Sequence, residues 1–541
     1  MEKYSKVLFN IVFVLIILAQ ILTIFNFANK KTGMFMDEIS TYGLSNYNFC
    51  PFIQEDPEYR DHWHDSEYYS KYVEVQENHR FDYKSVFYNQ SKDVHPPLYY
   101  MLIHTISSIK PNTFTKWYGI GLNMIFFVMN AIVLYLISKE ILKNKWKALL
   151  PVILWGFSVG SISSAIFIRM YEMLTFFILL IAYEHCKFIK KERISNKAFV
   201  ALYIISILGA LTQYYFLIYL FFIASLFFIL LLYNKRYQEL LKYIISEILA
   251  GVSFLYIFPA AYRHIFKGYR GEEAQHNFLA LENLKEQITG YYRIINEQIF
   301  GKLLSLFIVL FILILILKFF VKITLKYDRE NSKLGITTEL LSRNKFVIEL
   351  SNKNIQFISI TIPVLCYLFV ISKISPGQTG RYIYCVYPLL SLIFISLYDL
   401  CVKNKKIYMP IIVVILFISI IFGLKNCSIE YLYEDGKNAL NIAESNSEIG
   451  CIYIYENAEY ETYSNYKELM TYKNSYITTM DHVNEINDIM SNIKSKNNMI
   501  LYLPDNSNLE NNLNTVISNT MYSKSEELCR YNGKVIFKLE V

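Results

Sequence analysis

The sequence predicts a mainly α-helical, polytopic bundle of membrane helices with a small α/β domain at its C-terminal end. Three observations predict it. Of the 541 residues, 54% are hydrophobic and only 18% charged, with a mean hydropathy of +0.27, far from the usual soluble mix. The apolar residues are bunched into blocks close to the roughly 20 residues that cross a bilayer. From 425 onward the composition turns polar, with short β-branched or aromatic runs between polar stretches.

The first block, 7–28, follows Lys3 and Lys6 and precedes no small-residue cleavage site, so an uncleaved first helix with a cytoplasmic N-terminus is expected. Further blocks run over 118–137, 148–168, 170–186, 198–211, 214–232, 243–262, 303–320, 355–372, 382–401 and 407–424, giving about eleven expected transmembrane helices. The connections 139–147, 187–197, 235–242, 318–353 and 403–406 are rich in Lys and Arg, whereas those around Arg169, around Gln213 and over 375–381 carry few cations. Positive charge marks the cytoplasmic side, so the second set faces outward. The alternation requires that 97–109 not span. As a helix its roughly 13 residues reach about 20 Å against a core of about 30 Å, so a juxtamembrane or re-entrant helix is expected there. An odd number of spans puts the acidic first loop and the polar tail on the outer face of the cytoplasmic (plasma) membrane. The expected division is a membrane module, 1–424, whose outer loop 29–116 holds juxtamembrane helices, and an extracytoplasmic α/β domain, 425–541. In the tail, strands are expected at 451–455, 499–503 and 535–539, and a helix-like stretch at 481–496.

The formal charge of +7, from 53 Lys and Arg against 46 Asp and Glu, is scattered in short clusters between apolar blocks and forms no basic face, so nucleic acid is not an expected partner. The eight cysteines form no C-x-x-C pair. Cys186, Cys366 and Cys401 lie in or beside apolar blocks, where a thiol behaves as a small hydrophobe.

Chemistry concentrates at two acidic motifs of the outer loop, Met36-Asp37-Glu38 and Asp93-Val94-His95-Pro96-Pro97. A carboxylate at the bilayer surface loses hydration and gains basicity, which suits general-base work on a hydroxyl. A helix cap or a solvated loop charge is the alternative for both. Pro96 and Pro97 restrict the backbone that carries Asp93 and His95. Two arginines stand at outer boundaries, in Arg169-Met170-Tyr171-Glu172 and in Arg381-Tyr382 after the turn 375–380. A planar guanidinium can grip a lipid phosphate with two hydrogen bonds. An intrahelical pair with Glu172 and interfacial snorkelling are the respective alternatives. His62 and His64 could ligate a divalent ion bridging Asp37 or Asp93 to a phosphate, but packing in a Tyr-rich loop is the simpler reading; no metal or other cofactor is expected to be required. In 263–301, Arg263, His264, Lys267 and Arg270 could receive an anionic acceptor or rest on lipid headgroups.

Taken in order, Asp37-Glu38 after the first helix, the Asp93-x-His95-Pro96-Pro97-Leu98-Tyr99-Tyr100 string, Arg169-x-Tyr171, Thr212-Gln213-Tyr214-Tyr215 in a tight hairpin, and Arg381-Tyr382 before an apolar helix with Pro388 resemble the GT-C membrane glycosyltransferases. The resemblance is to the bacterial group related to protein O-mannosyltransferases and to the aminoarabinose transferase of lipid A, and it covers roughly the first 424 residues. It implies a polyprenyl-phosphate sugar donor and an inverting transfer on the outer face. Asp37 would be the catalytic acidic residue of the first loop with Glu38 beside it, and Asp93 with His95 the second element of the site. Arg381 would hold the donor phosphate, as Arg169 could, with His95, Tyr171 and Tyr382 lining the site. Gln213 departs from relatives that place a histidine in the hairpin.

Elementary chemistry agrees with this. Nucleotide sugars are cytosolic, and no cytoplasmic loop is large enough for a nucleotide-binding domain or carries a Gly-rich phosphate loop. An outward-facing transferase then needs a lipid-borne donor; the acceptor could be a glycan, a lipid or a protein. A lipid-linked-sugar flippase or transporter is the main alternative, although no inverted repeat is visible. A surface-glycan polymerase or ligase is another, and a sensor is disfavoured by the absence of a large cytoplasmic domain.

Overall fold

The computed structural model describes residues 2–279, 284–328, 333–340, 352–401, 405–491 and 497–541. A long first helix, α1 (Glu2–Lys30), leads into the loop helices α2 (Met36–Asn46), α3 (Ser66–Val73), α4 (Tyr83–Lys92) and α5 (Leu98–Ile109). The chain then runs through α6 (Lys116–Leu142), α7 (Leu149–Gly156), α8 (Val159–Ile166), α9 (Tyr171–Lys190), α10 (Asn196–Thr212), α11 (Tyr215–Tyr233) and α12 (Tyr237–Ile257). Three helices, α13 (Ala260–Phe266), α14 (Tyr269–Leu279) and α15 (Leu284–Gln298), occupy the loop around 263–301, and α16 (Leu304–Phe320), α17 (Asn352–Ile374), α18 (Tyr387–Cys401) and α19 (Lys405–Asn426) complete the apolar series.

Every apolar block expected to be helical is helical. Five described helices are each long and apolar enough to cross a bilayer, namely α1 from Lys6, α6, α11, α12 and α17 from Asn354, and the bent pair α7 and α8 makes a sixth. The pair is bent by 64°. Ser158 causes the break, because its hydroxyl donates to the Trp155 carbonyl at 2.7 Å and accepts the Ser161 amide at 3.2 Å, capping α8 where α7 ends. Helix α5 has 12 residues, about 18 Å of rise, too short to span. The connection 318–353 lies partly outside the described residues; its described part is an antiparallel hairpin of β2 (Val321–Asp328) and β3 (Lys333–Leu340), with Val321 opposite Leu340.

The described chain forms two compact units. The first comprises residues 1–23, 124–165 and 171–430, a helical bundle whose helices are tied by buried polar side chains as membrane helices commonly are. Gln20 donates to the Val152 carbonyl at 2.9 Å, Asn130 to the Glu172 carboxylate at 2.8 Å, and His185 meets the Tyr243 hydroxyl at 2.9 Å.

The second unit comprises residues 24–123, 166–170 and 431–541, so the first loop and the tail fold together. Its centre is a six-stranded sheet of order β1-β5-β4-β6-β8-β7, with β1 (Trp63–His64) from the loop and β4 (Gly450–Ile454), β5 (Ser475–Thr478), β6 (Asn498–Pro504), β7 (Lys524–Tyr531) and β8 (Lys534–Glu540) from the tail. Strands β4, β5 and β6 are parallel; β1, β8 and β7 run antiparallel to their neighbours. Period-two alternation gives the sheet two different faces. Ile452, Ile454, Leu501 and Leu503 pack with Ile486, Ile489 and Met490 on one, from the helical stretch that includes α22 (Ile486–Ser491). On the other, Tyr453 stacks on Tyr502 and hydrogen-bonds Asn465. Nearby, Tyr463 bonds the loop's Tyr72, and Tyr466 donates to the Tyr69 carbonyl. Tyr466 opens the short helix α21 (Tyr466–Leu469), which follows α20 (Gly436–Ser445) in the tail; α23 (Leu509–Ser518) is its last helix. The strands expected at 451–455, 499–503 and 535–539 coincide with β4, β6 and β8. The expected helical stretch 481–496 is a 3-10 turn followed by α22, and its last five residues lie outside the described ones.

Candidate functional site

Asp37 and Glu38 open α2. The Glu38 carboxylate folds back to accept the Phe35 amide at 2.7 Å, the returning half of a capping box, and both acids sit at the positive end of the helix dipole. Glu38 is fully buried and paired with Lys31, Nζ to Oε2 at 2.9 Å, both side chains being inaccessible. Burial pulls the Lys31 ammonium below its ordinary value, against the opposing attraction of Glu38. The other Glu38 oxygen accepts the Ile168 amide at 2.8 Å. Asp37, one residue earlier, is half-buried.

That contact to Ile168 matters because it holds the segment bearing Arg169. The same segment is gripped on its other side by Asn123, whose amide donates to the Phe167 carbonyl at 2.7 Å while its oxygen accepts the Tyr99 hydroxyl at 3.0 Å. Arg169 lies outside α9, so it is not the start of an intrahelical pair, and Glu172 instead accepts from Asn130. The Arg169 guanidinium is buried, at 4% exposure. Its Nη1 donates to the Asp37 carbonyl at 3.3 Å, to the Thr41 hydroxyl at 3.1 Å and to the Tyr100 hydroxyl at 3.0 Å. Its Nη2 lies 3.1 Å from His95 Nε2.

His95 in turn reaches Asp93, Nδ1 to Oδ2 at 2.7 Å. Asp93 caps the end of α4 and the two prolines start α5, so the motif is a corner between two helices. Burial alone would raise the Asp93 pKa; the neighbouring His95, Arg169 and the Val94 amide outweigh it and hold the carboxyl below its ordinary range. Five sequence-predicted residues, Asp37, Glu38, Asp93, His95 and Arg169, thus meet within one unit, Asp37 and His95 bonded to Arg169, Asp93 through His95, and Glu38 to the amide of the preceding Ile168.

Arg381, Tyr382 and Tyr171 belong to the other unit. Arg381 follows the expected turn, donates to the Tyr382 hydroxyl at 3.1 Å and lies 5.0 Å above that ring. Tyr382 packs edge-on against Tyr215, and Tyr171 against Tyr384. Tyr384 donates to the Glu430 carboxylate, whose other oxygen accepts from Gln298 at 3.1 Å. Burial raises Glu430 above its ordinary value, opposed by the Tyr384 hydroxyl and the Arg381 charge. In the Gln213 hairpin, Tyr214 meets His264 Nδ1 at 2.8 Å, so an imidazole reaches this turn from α13.

The weak metal candidates are otherwise engaged. His64 Nε2 meets the Glu58 carbonyl at 2.8 Å with its ring stacked on Tyr68 at 3.8 Å, and His62 Nδ1 meets the Arg60 carbonyl at 2.9 Å. Among the described residues no group of three His, Cys, Asp or Glu stands close enough to hold an ion. Sequence reasoning missed Lys31, Thr41 and Glu430, and held Tyr100 only as the end of a motif string without a role. A lysine just past a first helix reads as a snorkelling cation, and Glu430 opens a polar tail where acids are ordinary, so neither carried a local signal.

No protein-family model and no curated protein sequence matches the chain. Among the solved structures similar to it are two of one protein. One is ArnT from Cupriavidus metallidurans bound to undecaprenyl phosphate, with a TM-score of 0.52 and 10% identity over 97% of this chain and 97% of that one. The other is the same protein in the apo state, with a TM-score of 0.49 and 10% identity over 99% and 98% of the two chains. At this identity the likeness to the first is one of fold alone: the chain folds as that ArnT structure does.

Proposed function

We propose that the chain is an integral membrane glycosyltransferase that moves a sugar from a polyprenyl-phosphate donor to an acceptor hydroxyl, on the outer face of the cytoplasmic membrane and with inversion at the anomeric carbon. The observation that carries this reading is Arg169, which draws together the turn bearing Asp37 and the Asp93–His95 pair. The ArnT fold, solved in that protein with undecaprenyl phosphate bound, supports the donor class.

In the proposed reaction the Asp37 carboxylate takes the proton of the acceptor hydroxyl as its oxygen bonds to the anomeric carbon. The bond from that carbon to the phosphate oxygen breaks on the opposite side, and the prenyl phosphate leaves as an anion. Arg381 holds that phosphate and takes up its growing charge, with Tyr382 and Tyr171 as apolar walls. Arg169 serves the Asp37 turn, Asp93 and His95 orient Arg169, and Glu38 anchors α2 against Lys31. Burying Arg169 beside an ionised Asp93 keeps its charge compensated. The proposed orientation has the N-terminus inside and the tail outside.

The test uses purified full-length chain with radiolabelled undecaprenyl-phosphate sugars. Asp37→Asn keeps the shape and removes the base, and should lower transfer by about 100-fold or more, the usual worth of a general base. Transfer at the wild-type rate by Asp37→Asn would end the reading.

A further inference from the structure

Residues 31–35, between α1 and α2, have no regular secondary structure, yet they set where α2, and therefore Asp37, begins. Their polar groups are held by the tail. The Thr32 amide donates to the Leu432 carbonyl at 3.1 Å, the Thr32 hydroxyl donates to the Tyr433 carbonyl, and Lys31 donates to the Tyr431 carbonyl at 2.5 Å. The Thr32 carbonyl accepts from Lys467 Nζ at 2.6 Å. Gly33 is pressed so closely that a Cβ there would stand 2.0 Å from the Tyr531 hydroxyl and 2.7 Å from Tyr433 Cβ. Phe35 packs against Phe167 and Tyr431, which stack on each other at 3.9 Å.

We propose that Lys467, from the C-terminal domain, is a positioning residue for Asp37: its ammonium fixes the Thr32 carbonyl and so sets the entry of α2. The tail is then part of the catalytic apparatus and not an appendage. Lys467 sits in α21, itself pinned by the Tyr466 bond to the Tyr69 carbonyl, so the donor comes from a rigid base. A charged donor makes a stronger bond to a carbonyl than a neutral one, and a misplacement of about 1 Å at a reacting group costs about 100-fold in rate.

The proposal rests on Asp37 as general base, and its test separates the two. Full-length wild type, Lys467→Met and Lys467→Arg are reconstituted in nanodiscs. They are assayed with labelled undecaprenyl-phosphate mannose, glucose, galactose and 4-amino-arabinose, with a total membrane extract as acceptor. Lys467→Met should lower kcat by about 10- to 100-fold with an unchanged donor KM and an unchanged folded fraction. Lys467→Arg, which can still reach the carbonyl, should recover most of the rate. Amide hydrogen exchange over residues 35–39 should speed up in Lys467→Met and return to the wild-type rate in Lys467→Arg. A wild-type kcat in Lys467→Met, or a loss that follows the folded fraction and is not recovered by Arg, overturns the proposal. If wild type turns over none of the donors, the general-base reading falls on its own, and unchanged exchange over 35–39 would then sink the positioning role as well.

Discussion

His95 and Arg169 fix each other's hydrogen-bonding roles. A guanidinium can only donate, so His95 Nε2, 3.1 Å from Arg169 Nη2, must accept, and the ring proton sits on Nδ1, which donates to Asp93 at 2.7 Å. Charge and orientation therefore pass from Asp93 through a single imidazole tautomer to the arginine that grips the Asp37 turn.

Replacing that imidazole separates orientation from bulk. His95→Ala leaves Arg169 and Asp93 without their go-between and should cut transfer by about 10- to 100-fold. His95→Gln can accept with its oxygen and donate with its nitrogen, and should keep a larger share. Steady-state kcat on the undecaprenyl-phosphate donor checks both, and equal losses would contradict the relay.

The Lys31–Glu38 pair predicts an asymmetric cost. Lys31→Met strands a buried carboxylate and should destabilise the second unit by about 3–5 kcal/mol. Glu38→Gln, with an amide oxygen for the Ile168 or Phe35 amide, should cost less, and Lys31→Met with Glu38→Gln less than the two added. Thermal unfolding of the three variants in one detergent measures the coupling.

Gly43 reverses a familiar sign. Gly to Ala within a helix ordinarily gains about 1 kcal/mol, but a Cβ on Gly43 of α2 would lie 1.9 Å from the buried Tyr72 ring. Gly43→Ala should instead destabilise by about 1–3 kcal/mol through overpacking and lower transfer by displacing α2. A raised melting temperature would show that Tyr72 yields freely.

Two carboxyls give stability opposite dependences on pH. Burial raises Glu468, in α21, to about 7, with the Lys467 charge and a backbone bond opposing. Between its unfolded pKa near 4.3 and about 7 the folded form binds the extra proton, so stability falls as pH rises through that window, by about 4 kcal/mol at most. Asp93 is held below its ordinary value, so its contribution is complete above about pH 4 and lost as pH falls through the folded value. Glu468→Gln should raise the melting temperature at pH 8 more than at pH 5, and Asp93→Asn should flatten the acid limb alone.

Much of the architecture was legible along the chain, because membrane-length apolar blocks and period-two runs are local signals. Each apolar block is helical, 148–168 as the bent pair α7 and α8, α5 is the short helix, and β4, β6 and β8 lie where alternation places them. The edge strand β7 was not legible, since its Lys524-Ser525-Glu526-Glu527 half is exposed and carries no buried period. Nor was β1, whose two residues, Trp63 and His64, are too few to show a period and become a strand only by pairing with Tyr476 and Ser475.

The sequence by itself determined the helical membrane class, the short helix of the first loop, the mixed tail and the choice of Asp37, Glu38, Asp93, His95 and Arg169 as candidates, since these follow from hydropathy, residue type and motif order. Only the tertiary structure decided what each of those residues holds. It gave Glu38 to Lys31 and Ile168, aimed Arg169 at His95 and the Asp37 turn, and brought the tail to the loop through β1 and Lys467. Those partners lie from seven to more than four hundred positions apart. Contacts at such separations are set by how buried charges and main-chain groups must be satisfied once the chain is compact, which no local pattern records.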